Sequence, residues 1–220
     1  MKAIAVYEAL PTDDVNCFEY IDVETPAPAG HDILVRIDAI SINPVDSKER
    51  LGLSGRLDEP LILGWDACGE VISVGNDVQN FKSGDMVMYA GDITRPGSYA
   101  EFQLVDARIV GPKPAGLSVE EAATLPLTTL VAWESLFDRL EIDRDDANSP
   151  ALLIIGAAGG LGSMAIQFAR QFSNCTVIAT ASRPESKEWC TEMGAHHVLD
   201  HSGDLGEQLK ALGFETVPYI

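Results

Sequence analysis

The sequence predicts an α/β protein with a mostly β amino-terminal part and a carboxy-terminal part built on a parallel sheet. Three observations lead to this fold class. Short segments rich in β-branched and aromatic residues fill the first half of the chain, apolar strands alternate with helical segments from residue 151 onward, and a glycine-rich turn follows the first of those strands. Short strands in series favour a compact barrel or sandwich. Strand–helix alternation implies a parallel sheet.

Residues 1–117 are the mostly β part. Its predicted strands are bounded by Gly, Pro, Asn or Asp, and they cover residues 32–42, 69–75, 84–91 and 97–105. Their spacing indicates one compact domain.

Residues 118–150 are predicted to connect the two parts. Ser118 and Glu121 have the spacing of a capping box, in which each side chain satisfies a backbone donor of the other residue at the start of a helix. Pro126 interrupts the apolar pattern behind the cap, so two helices are expected rather than one. The polar segment 141–150 is interpreted as a linker.

Residues 151–220 are the parallel-sheet part. Predicted strands at 151–156, 176–181 and 196–201 alternate with predicted helices at 161–172, 184–194 and 204–213. A fourth strand is expected to begin at residues 216–220. The expectation is therefore an incomplete parallel-sheet domain.

Charge and composition exclude several classes of function. The chain of 220 residues has 34 Asp and Glu against 15 Lys and Arg, a net charge of −19, which would repel nucleic acid and anionic membranes. No apolar run approaches the ~20 residues of a membrane span. The four cysteines are scattered, without the close spacing of a structural zinc site. These features predict a cytoplasmic protein with reduced thiols.

The glycine-rich turn carries the prediction of cofactor binding. Glycines there permit a tight turn, let the backbone approach a pyrophosphate and let the following helix pack closely, and the phosphates would lie at the positive end of that helix. An ordinary structural turn is the alternative. The candidate cofactor-binding residues in this turn are Gly156, Ala158, Gly159, Gly160, Leu161 and Gly162.

The end of the second parallel strand indicates which dinucleotide binds. An NAD site normally has an acid there to bind the ribose hydroxyls. This sequence has Ser182 and Arg183 instead, followed by Lys187. A hydroxyl and a guanidinium suit the 2′-phosphate of NADP(H), so NADP(H) is the expected cofactor. The alternative for Arg183 is a solvated side chain before a helix.

Several further motifs resemble those of one family. They are SINPVD at 41–46, GWDACGEV at 64–71, GSYAE at 97–101 and ATLPLT at 123–128. In this order they are similar to the quinone-oxidoreductase branch of the medium-chain dehydrogenase/reductase superfamily and to zinc-type alcohol dehydrogenase-like proteins. The resemblance implies a GroES-like catalytic domain followed by a Rossmann domain. It also implies a homodimer that reduces small-molecule quinones or α,β-unsaturated carbonyls with NADPH.

The chain departs from the zinc-dependent members of that family. They have a cysteine where this chain has Asn43, and a His-Glu pair where it has Trp65 and Asp66. A catalytic zinc needs about three protein ligands, so no zinc is expected. The relatives also continue beyond the length of this chain, and we therefore expect a form truncated at its carboxy terminus, whose activity is that of the intact parent.

Metal-free hydride transfer is the predicted chemistry. Without a Lewis acid, the developing anion of an enone or quinone needs hydrogen-bond donors or water. Asn43 is the candidate amide donor, and Asp46 and Tyr89 are candidate lining residues. The open alternatives are a turn role for Asn43 and a structural hydrogen bond for Asp46. For the whole protein, the open alternatives are a zinc-type alcohol dehydrogenase and an NADPH-binding protein or inert fragment without turnover.

Overall fold

The computed structural model describes residues 1–220, and the chain forms two compact units, Met1–Leu127 and Thr128–Ile220. The division falls inside a helix and not in the expected linker at 141–150. The predicted connecting region is thus shared between the units. Ala122 and Ala123 are buried against the amino-terminal unit, whereas Leu136 is buried in the core of the carboxy-terminal unit.

The amino-terminal unit contains two antiparallel sheets. The smaller sheet has the order β2-β1-β4 and the larger has the order β7-β3-β5-β6-β8. The strands are β1 (Lys2–Val6), β2 (Glu19–Asp22), β3 (Asp32–Ser41), β4 (Leu61–Ile62), β5 (Asp66–Val74), β6 (Met86–Tyr89), β7 (Phe102–Asp106) and β8 (Gly111–Pro112). Two α-helices, α1 (Pro44–Leu51) and α2 (Val119–Ala123), and a short 3₁₀ turn (Ala107–Ile109) complete the elements that lie wholly within this unit.

The larger sheet holds the main core of this unit. Side chains that alternate along its strands are fully or almost fully buried against one another, as the period of two in a strand requires. They are Ile33, Val35, Ala67, Val71, Val87, Tyr89, Val105 and Ala107. The mostly β fold is confirmed. The four predicted strands are present with shifted ends, and four strands of two to five residues were missed because such short segments show little periodicity.

Helix α3 (Pro126–Trp133) spans the boundary of the units and continues into a π-helical turn at Glu134–Arg139. The predicted helix break at Pro126 is confirmed, as is the capping box. The Ser118 Oγ accepts from the Glu121 N–H at 3.1 Å, and Glu121 Oε2 accepts from the Ser118 N–H at 2.8 Å.

The carboxy-terminal unit contains a three-stranded parallel sheet of order β11-β10-β9. Its elements alternate as predicted: β9 (Ala151–Ile154), α4 (Gly160–Phe172), β10 (Thr176–Thr180), α5 (Pro184–Glu192), β11 (His197–Leu199) and α6 (Leu205–Ala211). The start of a fourth strand is also present, because Tyr219 makes a parallel bridge to Leu152 and its carbonyl accepts from the Leu153 N–H at 2.9 Å. The partial Rossmann-like sheet is confirmed.

Both faces of this sheet are covered. One face packs against Ile166, Ala169 and Cys190, and the other against Leu205 and Leu209 of α6. This explains why β9 reads as a continuous apolar run. None of the helices combines the length and the apolar character needed to cross a membrane.

Candidate functional site

The glycine-rich turn leaves β9 at Gly156, whose φ of +66° is a left-handed conformation that favours glycine. The Gly156 N–H donates to Thr180 Oγ1 at 3.1 Å, and the same hydroxyl donates to the Ile154 carbonyl at 3.3 Å. Thr180 is buried at the end of β10. Thr180 thus ties the turn to the neighbouring strand, a role that no motif in the sequence indicated.

The turn can hold its shape only with glycine at position 162. A Cβ there would lie 2.5 Å from the Cα and the carbonyl oxygen of Ala157, too close for any side chain. A Cβ on Gly160 would meet only the Thr128 Cγ2 methyl, at 3.3 Å. Gly162 therefore allows the close approach of helix and turn, while Gly160 lies in a less restricted place.

The first turn of α4 offers backbone donors for an anion. The N–H groups of Gly160, Leu161 and Gly162 precede the first intrahelical hydrogen bonds, whereas the Ser163 N–H donates to the Gly159 carbonyl at 2.8 Å. The helix dipole adds positive charge at the same place. The geometry of the predicted turn residues therefore fits a pyrophosphate. Ala158, by contrast, is packed against the core.

A hydrogen-bond chain runs from α5 to this turn. The Trp189 indole N–H donates to Ser163 Oγ at 2.8 Å, and Ser163 Oγ donates to the Gly159 carbonyl at 2.8 Å. The Gly159 carbonyl is thus held by two donors of the same serine. This fixes the orientation of the backbone at the start of α4.

The end of β10 has the polar side chains that the sequence indicated. Ser182 is half-buried and Arg183 is exposed immediately before α5. The Arg183 guanidinium makes one long hydrogen bond, 3.4 Å to Ser186 Oγ. The positive charge of Arg183 is therefore available to an anion.

Lys187 differs from Arg183 because it is already paired. Its Nζ lies 2.8 Å from Asp200 Oδ2, and the ammonium together with the Ser202 donors holds the pKa of Asp200 below its usual range. The side chains of Lys187 and Asp200 are 39% and 32% exposed. The pairing of residues 13 positions apart on different elements gave no signal in the sequence.

In the amino-terminal unit, Asn43 is buried at the start of α1. Its backbone N–H donates to Asp46 Oδ2 at 2.7 Å. Its Nδ2 donates to Asp66 Oδ2 at 2.8 Å and to the Ser41 carbonyl at 3.3 Å. Both amide hydrogens thus have acceptors. The longer bond to Ser41 is the one that a substrate oxygen would replace if Asn43 is a donor.

Asp66 is the fully buried centre of this cluster. Its second oxygen, Oδ1, accepts from the Leu127 N–H at 2.7 Å. Burial raises the pKa of Asp66 to about 6, although the hydrogen bonds from Asn43 and Leu127 oppose that rise. Burial also raises the pKa of Asp46. The cluster has no cation among its hydrogen-bond partners.

Tyr89 lies in the core of the larger sheet. Its side chain is 2% exposed among Ile33, Val35 and Val87, and its hydroxyl has no hydrogen-bond partner. Burial strongly raises the pKa of this phenol. The environment of Tyr89 favours a packing role over the predicted pocket role.

The residues that stand in place of the ligands of zinc-dependent relatives do not fit zinc. Trp65 packs with Val6 and Leu63, Asn43 offers an amide, and both oxygens of Asp66 already accept hydrogen bonds. No three or more His, Cys, Asp or Glu side chains are grouped where they could hold a metal ion. A catalytic zinc needs about three ligands.

Two family models match the chain. Residues 29–115 match the alcohol dehydrogenase GroES-like domain, and residues 160–220 match the zinc-binding dehydrogenase model. Among curated relatives, a zinc-type alcohol dehydrogenase-like protein of Staphylococcus epidermidis is 42% identical over 222 residues, which cover 100% of this chain and 65% of the relative. A 2-methylene-furan-3-one reductase of Solanum lycopersicum is 34% identical over 198 residues, covering 86% of this chain and 49% of the relative.

Solved structures are similar over almost the whole chain. A Rhizobium etli CFN 42 protein, assigned provisionally as a zinc-dependent alcohol dehydrogenase, has 50% identity and a TM-score of 0.91, with 99% of this chain and 64% of that chain covered. The Escherichia coli quinone oxidoreductase in complex with NADPH has 27% identity and a TM-score of 0.82, with 99% and 64% covered. The chain thus spans about two thirds or less of the length of these proteins.

Proposed function

We propose that this chain, which belongs to the medium-chain dehydrogenase/reductase superfamily, forms the catalytic and cofactor-binding parts of an NADPH-dependent oxidoreductase that reduces a quinone or an α,β-unsaturated carbonyl without a metal. The observation that carries the proposal is the turn at Gly156–Gly162 together with Ser182 and Arg183, which follow strand β10 where an NAD site would have an acid. We also propose that the whole protein is a homodimer and is located in the cytoplasm.

The carboxy-terminal unit supplies binding and orientation of the dinucleotide. The N–H groups at the start of α4 would bind the pyrophosphate, and Gly162 keeps that helix close enough to do so. Arg183 would form a bidentate ion pair with the 2′-phosphate, with Ser182 as a hydrogen-bond donor. When bound, the nicotinamide supplies the hydride.

The amino-terminal unit would orient the substrate. Asn43 is held at its backbone by Asp46 and at its side chain by Asp66. Giving up the 3.3 Å bond to Ser41 would free one amide hydrogen for the substrate oxygen. A conjugated carbonyl or a quinone suits such a site, because a neutral donor or water suffices to stabilise the anion that develops on hydride addition.

The relatives support both halves of the proposal. The Escherichia coli quinone oxidoreductase was crystallised with NADPH, and the Solanum lycopersicum relative is named for the reduction of an unsaturated ketone. The names of other relatives include zinc. A zinc-type alcohol dehydrogenase is therefore the second candidate, and the donor set at Asn43, Trp65 and Asp66 disfavours it.

Cofactor preference is tested with dissociation constants. We expect NADPH to bind more tightly than NADH, and Arg183→Ala to weaken NADPH binding by about 1.5–3 kcal/mol while leaving NADH almost unchanged, the range for a charge-assisted hydrogen bond. Lys210→Ala, which removes an exposed positive charge on α6, is the matched control. Equal affinities for the two cofactors in the unmodified chain would refute the assignment.

The reaction is tested by following NADPH oxidation over a panel of quinones and enones, together with elemental analysis. We expect turnover with members of the panel, no stoichiometric zinc and no effect of chelators. About one zinc per chain, lost together with activity, would establish the second candidate. Tight NADPH binding without turnover across the panel would indicate a cofactor-binding protein.

A further inference from the structure

The fold brings an acid to the end of β10 that the local sequence lacks. Strands β10 and β11 are parallel neighbours in which Thr180 pairs with Leu199. The Ala181 N–H donates to the Leu199 carbonyl at 2.9 Å, so Asp200, the residue that follows β11, is placed next to the end of β10. An acid at this edge is what an NAD site uses and what an NADP site avoids.

Asp200 is held in place by its neighbours. Its Oδ1 accepts from the Ser202 N–H at 3.0 Å, and its backbone N–H and carbonyl are bonded to the Gln208 side chain at 2.9 Å each. Its Oδ2 faces Lys187 Nζ at 2.8 Å. Lys187 is one helical turn from Arg183, with its N–H donating to the Arg183 carbonyl at 3.0 Å.

Arg183, which precedes α5, and Lys187, which lies in α5, are therefore not equivalent. The charge of Arg183 meets only a serine hydroxyl, whereas the charge of Lys187 is neutralised by a carboxylate. A 2′-phosphate at this edge would gain from Arg183. The Lys187–Asp200 pair would attract the phosphate only weakly, because the repulsion by the carboxylate offsets the attraction by the ammonium.

We propose that Asp200 is a specificity-determining residue that limits the preference of this site for NADP(H) by neutralising Lys187. The inference rests on the proposed function. It does not make Asp200 a ligand of the NADH ribose, since both of its carboxylate oxygens are already engaged, by Lys187 and by Ser202.

The test compares dissociation constants for NADPH and NADH in the unmodified full chain and three variants of it. Asp200→Asn is expected to raise the NADPH-over-NADH selectivity by about fivefold, the upper end for a partly exposed charge pair. NADH affinity should change less than about twofold, because NADH has no 2′-phosphate and a solvent-screened charge contributes little without one. The double variant Lys187→Ala with Asp200→Asn should return to the original selectivity, because the gain needs the released ammonium. Glu192→Gln removes one exposed acid from α5, the helix that carries Lys187, and is the matched control.

A second readout does not depend on the cofactor. The rate of acylation of Lys187 by an amine-reactive reagent, followed by mass spectrometry, should rise in Asp200→Asn and stay constant in Glu192→Gln. Unchanged selectivity in Asp200→Asn, or a gain that persists in the double variant, would overturn the inference while leaving the proposed function intact. Failure of the unmodified chain and all variants to bind either dinucleotide would overturn both.

Discussion

The glycine-rich turn and the Asn43–Asp66 cluster are built in opposite ways. The turn is made of backbone groups contributed by seven consecutive residues, and much of it is exposed. The cluster is made of buried side chains whose partners are 23 and 61 positions apart in the chain. One site is a local motif and the other is a product of the fold.

This difference determines which changes disrupt each site. The turn depends on the absence of side chains, so any added carbon at the wrong position disrupts it. The cluster depends on the hydrogen-bond donors around the Asp66 carboxylate, which is costly to ionise because it is buried. The three predictions below run from the largest effect to the smallest: the first tests the turn, the second tests the cluster, and the third tests a buried hydroxyl that belongs to neither.

Gly162→Ala should have the largest effect. Its Cβ would lie 2.5 Å from backbone atoms of Ala157, which cannot move aside as a side chain can. We expect the carboxy-terminal unit to lose about 3 kcal/mol of unfolding free energy, the upper part of the range for overpacking, and to lose NADPH binding. Denaturant unfolding and calorimetric titration measure the two losses.

Gly160→Ala is the matched control for that substitution. It adds the same methyl group to the same turn, but the nearest atom is the Thr128 methyl at 3.3 Å. That contact is longer and is made with a side chain instead of the backbone, so the loss should be well below that of Gly162→Ala. Similar losses in the two variants would show that the close approach of Ala157 does not explain the glycine at 162.

The pH dependence of stability tests the cluster. Because the folded-state pKa of Asp66, about 6, lies above its ordinary value of 3.8, the stabilisation from protonated Asp66 is complete below pH 4 and is lost as the pH rises through 6. Between pH 5 and pH 7.5 this group should lower the free energy of unfolding by roughly 1.5 kcal/mol. The measurement is denaturant unfolding at both pH values.

Asp66→Asn isolates this contribution from that of the other acids. Asparagine is neutral at both pH values and retains an oxygen for the Leu127 N–H, so the variant should lose most of the difference between pH 5 and pH 7.5. Equal pH dependence in the two proteins would mean that Asp66 ionises without cost, and the contrast between an exposed turn and a buried cluster that disfavours ionisation would fail.

The smallest effect should have the opposite sign. Tyr89→Phe removes a buried hydroxyl that has no hydrogen-bond partner and keeps the ring that fills the core. The expected result is a gain in unfolding free energy of about 1 kcal/mol. A loss of stability would show that the hydroxyl has a partner, such as an internal water, and would restore interest in Tyr89 as a functional residue.

The sequence predicted those features that depend on interactions between residues close together in the chain. Capping by Ser118, the helix break at Pro126 and the glycine turn before α4 each depend on residues within a few positions, and each was predicted. The parallel order of the sheet followed from strand–helix alternation, because such connections leave few topologies open. Strand ends were predicted less well, since tertiary contacts decide where pairing stops.

The sequence was uninformative where contacts join distant segments. Nothing near Asn43 indicates that its amide faces Asp66, and nothing near Lys187 indicates that its charge is matched by Asp200. The position of Tyr89 in the core was also missed, because an alternating strand shows which residues share a face but not which face is buried. The role of Asn43 in catalysis stays a prediction.

The exposed position of Arg183 has a consequence for the kinetics of cofactor binding. A dinucleotide is an anion, and the chain it approaches carries a net charge of −19, so the long-range field slows their encounter. At contact distance the exposed Arg183 guanidinium attracts the same molecule. Added salt, whose screening length is about 10 Å at 0.1 M, would therefore speed association and hasten dissociation together.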